Sequence, residues 1–542
     1  PGGTENYHLY EINVDGSNLR QLTDGPFDDI EPTYLPDGDI VFCSSRCNRW
    51  VMCWHTPVAI LYRCAADGTN IRLFSSNAVT ENTPAVLPDG RILYTRWEYV
   101  DRSQLCYHHL WTVNSDGTGQ MAFYGNTYPT GMQSNIISQN GSLVQYDNVP
   151  GAVAILDARP IPGSTSVVCI FSPGHGRTEH QGYLTIIDPK AGPDRQESAR
   201  QIHREIGWRD PWPISASEFL VARDRGMYVV DAAGNTSQVY QLTSPRPEMR
   251  LHEPRPVVKR ERESMMAARS DRTEATGHLV LSDVTIGRNM DGVAPGTVKK
   301  LLVLEQLPGP FHNSPGFDGI SLWGTFTITR ILGTVPVEPD GSAYFEAPAM
   351  RSLFFVALDE NDIAVKRMQS FVTLQPGETT SCVGCHENKS NVPSSGFRMT
   401  RAGMRGPSAV TSWYGDARGF SFKREVEPVL EKYCVGCHDG SKPKSQAATK
   451  PDFRTDQGFV WAYAYGNPDL IRCKDAPIEE LMKKYDGLFE PNYIALRGYV
   501  RVGGLESDLH MLPPMEFHAD TSPLIEMLEA GHHGVELPPE AW

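Results

Sequence analysis

No run of about 18 apolar residues occurs in the 542-residue chain, so no helical membrane span is expected in this segment. Basic clusters are missing too: 50 Lys and Arg stand against 65 Asp and Glu, a formal charge of -15. A polyanion would be repelled and would find no phosphate-neutralising patch, which excludes nucleic acid as a partner. Small neutral or cationic substrates, or a basic redox protein, suit that field better. The chain opens on Pro1 rather than Met, and a leader is expected to have been removed ahead of it. A disorder-prone composition is also absent, since 40% apolar and 21% charged residues are globular proportions. The length suggests about three domains.

Cysteine, by contrast, is plentiful. Eleven residues are many for a reducing cytoplasm. Four of them lie in two identical strings, Cys382-Val-Gly-Cys385-His386 and Cys434-Val-Gly-Cys437-His438. Two thiols two residues apart can meet the two vinyl groups of a haem, and the adjacent histidine reaches its iron from the same turn. A zinc ribbon also uses paired C-x-x-C strings, but it needs neither histidine, and 52 residues is a long gap between its halves. Two covalently bound c-type haems are therefore expected. Haem attachment takes place outside the cytoplasm, so the chain is expected in the periplasm or an equivalent compartment of a bacterium. Of the remaining seven cysteines, Cys43, Cys47 and Cys53 are spaced too loosely for zinc and read as disulfide partners or core thiols. Seven is odd, so at least one of these thiols is free, metal-bound or paired elsewhere.

The N-terminal half repeats. LYEINVDGSNLRQLTDGPFDDIEPTYLPDGDIVFCSSR begins at Leu9, LYRCAADGTNIRLFSSNAVTENTPAVLPDGRILYTR at Leu61, and LWTVNSDGTGQMAFYGNTYPTGMQSNIISQNGSLVQYD at Leu110. Each unit reads as strand, Asp-Gly turn, strand, Pro-containing loop, Asp-Gly or Asn-Gly turn, strand. Four-stranded units at a period near 50 residues must bury their faces on one another, as propeller blades do. Asp15, Asp67 and Asp116 are expected to cap their turns. Fainter copies start at Tyr183, Pro213 and Met227, for about five detectable blades.

Three domains are expected: a TolB/WD40-like β-propeller over 1–255, a middle β-sandwich-like domain over 256–395 that ends in the first haem string, and an α-helical c-type cytochrome domain over 396–542. The class is mainly β. Residues 256–278 read as a charged linker, and Pro393 to Gly419 as a Gly/Ser/Pro-rich separator. Val426, Val429, Leu430 and Tyr433 share a helical face just before the second string. Downstream, His510, Met511, Met515, His518, His532 and His533 are candidates for the other axial position on that iron. The Gly-His-His-Gly string, after an amphipathic helix around Leu524 to Leu528, is the favoured source. A second imidazole would lower the haem potential relative to methionine.

The blades, the segment GVAPGTVKKLLVLEQL through VPVEPDGSAYFEAPAMRSLFFVALDENDIAVKRMQSFVTLQPGETTSCVGCHE, and the terminal EVEPVLEKYCVGCHDG with GHHGVEL together resemble the hydrazine synthase alpha subunit and its relatives. The resemblance implies an active-site haem in the middle domain, a bis-histidine electron-transfer haem at the C-terminus, and beta and gamma partner subunits. It implies small nitrogen compounds, hydroxylamine and ammonia, as substrates. It also implies that the histidine of the first string, His386, binds zinc rather than iron. A propeller cysteine and a haem propionate complete that zinc site on the same resemblance, and Cys106 in SQLCYHHLW is the best-placed thiol, with His108 and His109 beside it; read from the residues alone, Cys106 is as readily a buried thiol or a disulfide partner. In the family a tyrosine four residues after that histidine ligates the iron, whereas this chain has Ser390 there. With serine a poor iron ligand, His386 is expected either to serve iron conventionally or to leave the iron open. The catalytic residues themselves are not identified beyond this region around His386.

Overall fold

The computed structural model describes residues 5–52, 56–102, 107–125, 154–172, 180–287, 290–309, 320–322, 325, 327–368, 370–384, 399–441, 450–461, 488–501, 513–516 and 518–542, with three short strand segments at 136–137, 143–144 and 471–473. It is mainly β, with a few short helices.

Among the described residues, the N-terminal part holds four four-stranded antiparallel meanders. The first runs through Asp29–Tyr34, Ile40–Ser44, Ile60–Cys64 and Arg72–Leu73. The second uses Glu81–Val86, Ile92–Trp97, His108–Val113 and Met121–Tyr124. Ala154–Pro160 opens the third and Arg209–Pro213 the fourth. The opening strands pack against one another in chain order, as the inner strands of propeller blades do. Each sequence unit is staggered by two strands from the sheet. The Leu9 unit holds the hairpin Tyr10–Glu11 with Arg20–Gln21 and then the first two strands of the following blade.

Turn chemistry follows the expected rule. Asp15, Asp67 and Asp116 each accept from the backbone N–H and hydroxyl two residues on, at Ser17, Thr69 and Thr118. Asp116 does more: its other oxygen takes the backbone N–H groups of Arg269 and Ser270, pinning the 256–278 segment to the blade.

A further regularity lies in the inner strands. All four slip register at the same place, and each carries a left-handed residue there: Glu31, Thr83, Asp157 and Asp210. In three of the four a proline follows at once, Pro32, Pro84 and Pro211, which keeps the preceding residue out of the right-handed helical region and favours a bulge.

The middle part is two sheets face to face. A three-stranded sheet (Ala343–Pro348, Thr276–Leu281, Thr379–Cys382) buries Leu279, Leu281 and Phe345 against Leu301, Val303, Val335 and Leu353 of a five-stranded one. That is the expected sandwich. Arg418–Gly419 is itself an edge strand of the five-stranded sheet, and Thr411 bridges Thr334. The described part of the Pro393–Gly419 stretch thus lies on the sandwich rather than standing apart from it.

The C-terminal part holds short helices at Glu427–Tyr433, Pro491–Arg497 and Pro523–Glu529 around Leu430, Phe453, Leu496 and Leu524. It is not purely helical: Phe459–Trp461, Ile471–Cys473 and Leu488–Phe489 form a small sheet. Among the described residues no helix is long and apolar enough to cross a membrane.

Candidate functional site

The second C-x-x-C-H string grows directly out of the helix Glu427–Tyr433. Leu430 is buried on its inner face, with Val426 packed beside it. The backbone N–H groups of Cys434 and of His438 donate to Leu430 and Cys434 carbonyls, so one continuous turn carries both thiols and the imidazole. Neither thiol is bonded to a described cysteine; Cys434 is half-buried and Cys437 exposed. Burial raises the Cys434 thiol pKa. His438 faces the Pro451 carbonyl through Nδ1 at 3.0 Å, which assigns the proton to Nδ1 and leaves the Nε2 lone pair for a metal. Phe453 backs the ring at 4.8 Å between centroids.

Opposite stands His532. The helix Pro523–Glu529 ends with Gly531, His533 and Gly534 all left-handed, so the chain reverses at once after its last turn. That reversal sets the His532 ring 6.0 Å from the His438 ring, centroid to centroid, with 27° between planes. Two imidazoles on one metal, each bonded at about 2.0–2.1 Å, need ring centres roughly 6 Å apart. The pair stands at that spacing. Burial, then His533 and His438, lower the His532 pKa, favouring the neutral ring a metal requires. His533 meets His532 edge-on at 4.6 Å. The other candidates have separate attachments: the Met515 N–H donates to Val365 on the sandwich edge, and buried His518 is held by Asp520.

The first string begins at a strand end. Cys382 closes Thr379–Cys382, in parallel register with Leu281. Ser282 and Asp283 then bond the carbonyls of Cys382 and Val383. Gly384 lies so close to Ile286 that a Cβ there would sit 1.9 Å from its carbonyl oxygen, whereas Gly436 in the second string has open space. The same Val-Gly pair thus answers two different backbones.

Cys382 lies on the wall of a cavity of about 900 Å³ between propeller and sandwich. Leu279, Leu281, Val284, Phe345 and Phe355 make its apolar sandwich side. The propeller side is more polar, with Arg91, Arg102, Gln120 and Lys190. The volume is at the upper end of small-molecule and cofactor sites, and the apolar wall beside a strand-end thiol fits a macrocycle attached there.

A buried charge cluster ties the two walls together. Glu98, fully buried, is shared by Arg96 at 2.7 Å and by Arg102. Ser370 donates to Glu98 at 2.8 Å, and Arg96 donates to the Phe371 carbonyl, both across to the sandwich side. Arg96 stacks between Trp111 and Phe371, and Arg102 lies over Tyr107. The three charged residues are sequence neighbours, but their links to Ser370 and Phe371, some 270 residues on, leave no sign in the local sequence.

His108 and His109 point to opposite faces of a buried strand: His108 stacks on Trp97 at 5.0 Å, and His109 meets Tyr107 edge-on. Desolvation, helped by Arg102, pushes the His109 pKa down to about 3. Among the described residues no cluster of three metal-ligating side chains occurs. Cys43 is a buried core thiol and Cys47 a half-buried one whose Sγ donates to the Val58 carbonyl; neither forms a disulfide with a described cysteine. Cys53, Cys106, Cys385, His386, Ser390, His510 and Met511 lie outside the described residues.

Residues 296–387 match the family model of the hydrazine synthase alpha subunit middle domain. Hydrazine synthase from Kuenenia stuttgartiensis shares the fold over 93% of this chain and 85% of its own, with TM-score 0.61 and 16% identity. TolB from Acinetobacter baumannii aligns over 43% of this chain and 49% of its own, at TM-score 0.29 and 10% identity. No curated protein matches the sequence. By fold and middle-domain sequence the chain is hydrazine synthase alpha-subunit-like, as the residues quoted above suggested.

Proposed function

We propose that the chain is a dihaem c-type cytochrome of hydrazine synthase alpha-subunit type, a redox enzyme subunit exported to the periplasm or its equivalent. Its substrates on this reading are small nitrogen compounds, with hydroxylamine and ammonia joined to hydrazine and water released. The observation that carries the proposal is the roughly 900 Å³ cavity with Cys382 on its wall, lying between the propeller and the sandwich. Cys382 and Cys385 would hold the first haem, and His386 would serve its iron or a zinc ion shared with Cys106. When bound, that haem supplies an iron at which a small nitrogen ligand can react. The chain's own apolar sandwich wall would flank it, and the Arg96–Glu98–Arg102 cluster holds the walls together.

Cys434, Cys437 and His438 would hold the second haem, with His532 rather than His533 as the opposing ligand, because His532 stands at metal-sharing distance from His438. Two imidazoles favour a low potential and electron transfer over catalysis. Beta- and gamma-like subunits are the partners this reading implies. Ser390 in place of the family's tyrosine makes the coordination of the first iron the deciding quantity. Electron paramagnetic resonance and resonance Raman of the resting protein test it. A high-spin signal that shifts with hydroxylamine, nitric oxide or cyanide is expected. Two low-spin, six-coordinate haems would overturn the enzyme and leave an electron carrier with a propeller docking module.

A further inference from the structure

The stretch 399–424 has a charge balance unlike the rest of the chain. It holds Arg401, Arg405, Arg418, Lys423 and Arg424 against Asp416 alone, five cations and one acid in a protein of formal charge -15. Large apolar side chains also stand in the open here: Met399 is 70% exposed, Met404 65%, Tyr414 68% and Phe420 59%. Single exposed apolar residues are ordinary. Four within 26 residues, interleaved with arginine and lysine, have the composition of a contact surface.

The stretch is firmly attached. Ser408 bonds Tyr344 and Glu346 on the three-stranded sheet, and Thr411 and Arg418–Gly419 pair with Thr334, Arg330 and Ile331 on the five-stranded one. The Tyr414 hydroxyl donates to Asp362 at 2.8 Å, and Trp413 Nε1 reaches the same carboxylate at 3.3 Å. Arg418 pairs with Glu425 and donates to the Trp413 and Asp416 carbonyls, while Arg424 donates to the Gly419 carbonyl. These bonds hold Tyr414 and the backbone around Phe420, Lys423 and Arg424 in place before anything binds, which lowers the cost of association. Among the described residues Arg401, Lys423 and Arg424 form no ion pair, so their charge is available to a partner. Phe422–Val426 runs on into the helix Glu427–Tyr433, which puts roughly 18 Å of helix between the patch and Cys434.

We propose that the patch around Tyr414, Phe420, Lys423 and Arg424 is the docking face for an acidic redox protein, one that presents a carboxylate rim around an apolar centre. The proposal deepens the function given above by naming the partner's chemistry, and it rests on Cys434 to His438 being the electron-transfer haem site. Net charge alone favours a basic partner. The local field has the opposite sign, and within a Debye length docking follows the local field. An anionic bilayer fits less well, because a flat surface also meets the acidic remainder of the chain, whereas a protein can confine its acids to one face. In the docked pair the partner's redox centre loses one electron and the ferric haem iron gains it.

The test uses the haem-loaded full chain with reduced plant-type ferredoxin, an acidic one-electron donor, as the probe; whole-protein mass and circular dichroism control for loading and folding. Stopped-flow reduction of the haem is followed at about 0.01 M salt, where charges act over roughly 30 Å, and again at about 1 M, where they act over roughly 3 Å. Lys423→Gln with Arg424→Gln should slow the second-order reduction about tenfold at low salt and match the wild type at high salt. Ferredoxin binding by fluorescence anisotropy should weaken in step. Arg200→Gln with Arg204→Gln removes two charges from the exposed propeller surface and should leave both readings in place. Equal rates and affinities in the wild type and the patch variant overturn the proposal, as does an equal loss in the propeller variant, which would make the effect one of net charge. Patch-dependent sedimentation with phosphatidylglycerol vesicles, or patch-dependent dimers in sedimentation velocity, with ferredoxin binding unaltered, would give the face to lipid or to a second copy and overturn it too. A wild-type mass lacking the second haem would instead overturn the haem-site reading, and the anisotropy titration would still decide the docking face.

Discussion

Glu98→Ala is the perturbation from which most can be learned about how the two walls of the cavity are held together. The carboxylate is fully buried, 2.7 Å from the Arg96 guanidinium, bonded to Arg102 through its other oxygen, and receives the Ser370 hydroxyl at 2.8 Å. At that spacing each ion pair carries a gross attraction of about 6 kcal/mol for an effective dielectric of 20. The desolvation of three charges offsets most of it. What survives on truncation is the cost of two guanidinium groups stranded in the interior, about 3–5 kcal/mol. Arg96 also ties the propeller to the Phe371 carbonyl, so the loss falls on the contact between domains. Urea unfolding followed by tryptophan fluorescence reads it directly, since Trp97 and Trp111 are both buried in this region. Glu11→Ala removes an exposed pair with Arg20 and should leave the midpoint in place. A Glu98→Ala loss below about 1 kcal/mol would refute the clamp.

Four further outcomes are expected. His532→Met should raise the potential of the C-terminal haem while His533→Ala leaves it, in protein-film voltammetry; the reverse pattern would reassign the ligand. Gly384→Ala should cost about 1–3 kcal/mol in denaturant unfolding because its methyl collides with the Ile286 carbonyl, whereas Gly436→Ala should be tolerated. Glu81, fully buried and accepting from Ser75, Asn77 and Leu61, has its pKa pushed up to about 7, chiefly by desolvation. Its folded state holds the proton more tightly than the unfolded chain, so this contribution is complete below about pH 4.5 and is lost as pH rises through 7. Up to ~3 kcal/mol is at stake, and Glu81→Gln should flatten that slope in unfolding measured from pH 5 to 8. Cys106→Ser should lower bound zinc by elemental analysis if that thiol and His386 share a metal; unaltered zinc would remove the site.

Much of this was visible in the residues, for definable reasons. Asp-Gly turns are local, and Asp15, Asp67 and Asp116 behave as their neighbours dictate. The two C-x-x-C-H strings are local too, and the helix that presents Cys434 was read from Val426 and Leu430. The partner of His438 was narrowed to a pair, because a reversal after a helix is legible in Gly531 and Gly534 while the ring it aims is not. The inner-strand bulges at Glu31, Thr83, Asp157 and Asp210 escaped notice, since a left-handed residue of ordinary type leaves only the following proline as a sign. The small sheet at Phe459–Trp461 and the docking of Arg418–Gly419 were missed because their pairings are tertiary. The Arg96–Glu98–Arg102 clamp was beyond reach for the same reason.

Intact-protein mass spectrometry of the matured wild type, beside Cys382→Ala and Cys434→Ala, weighs the two attachment sites without assuming any fold. Two haems above the polypeptide mass in the wild type, and one fewer haem with each substitution, are the expected result. A wild-type mass equal to the bare polypeptide, in a colourless protein, would contradict the account and leave a β-rich scaffold with no redox chemistry.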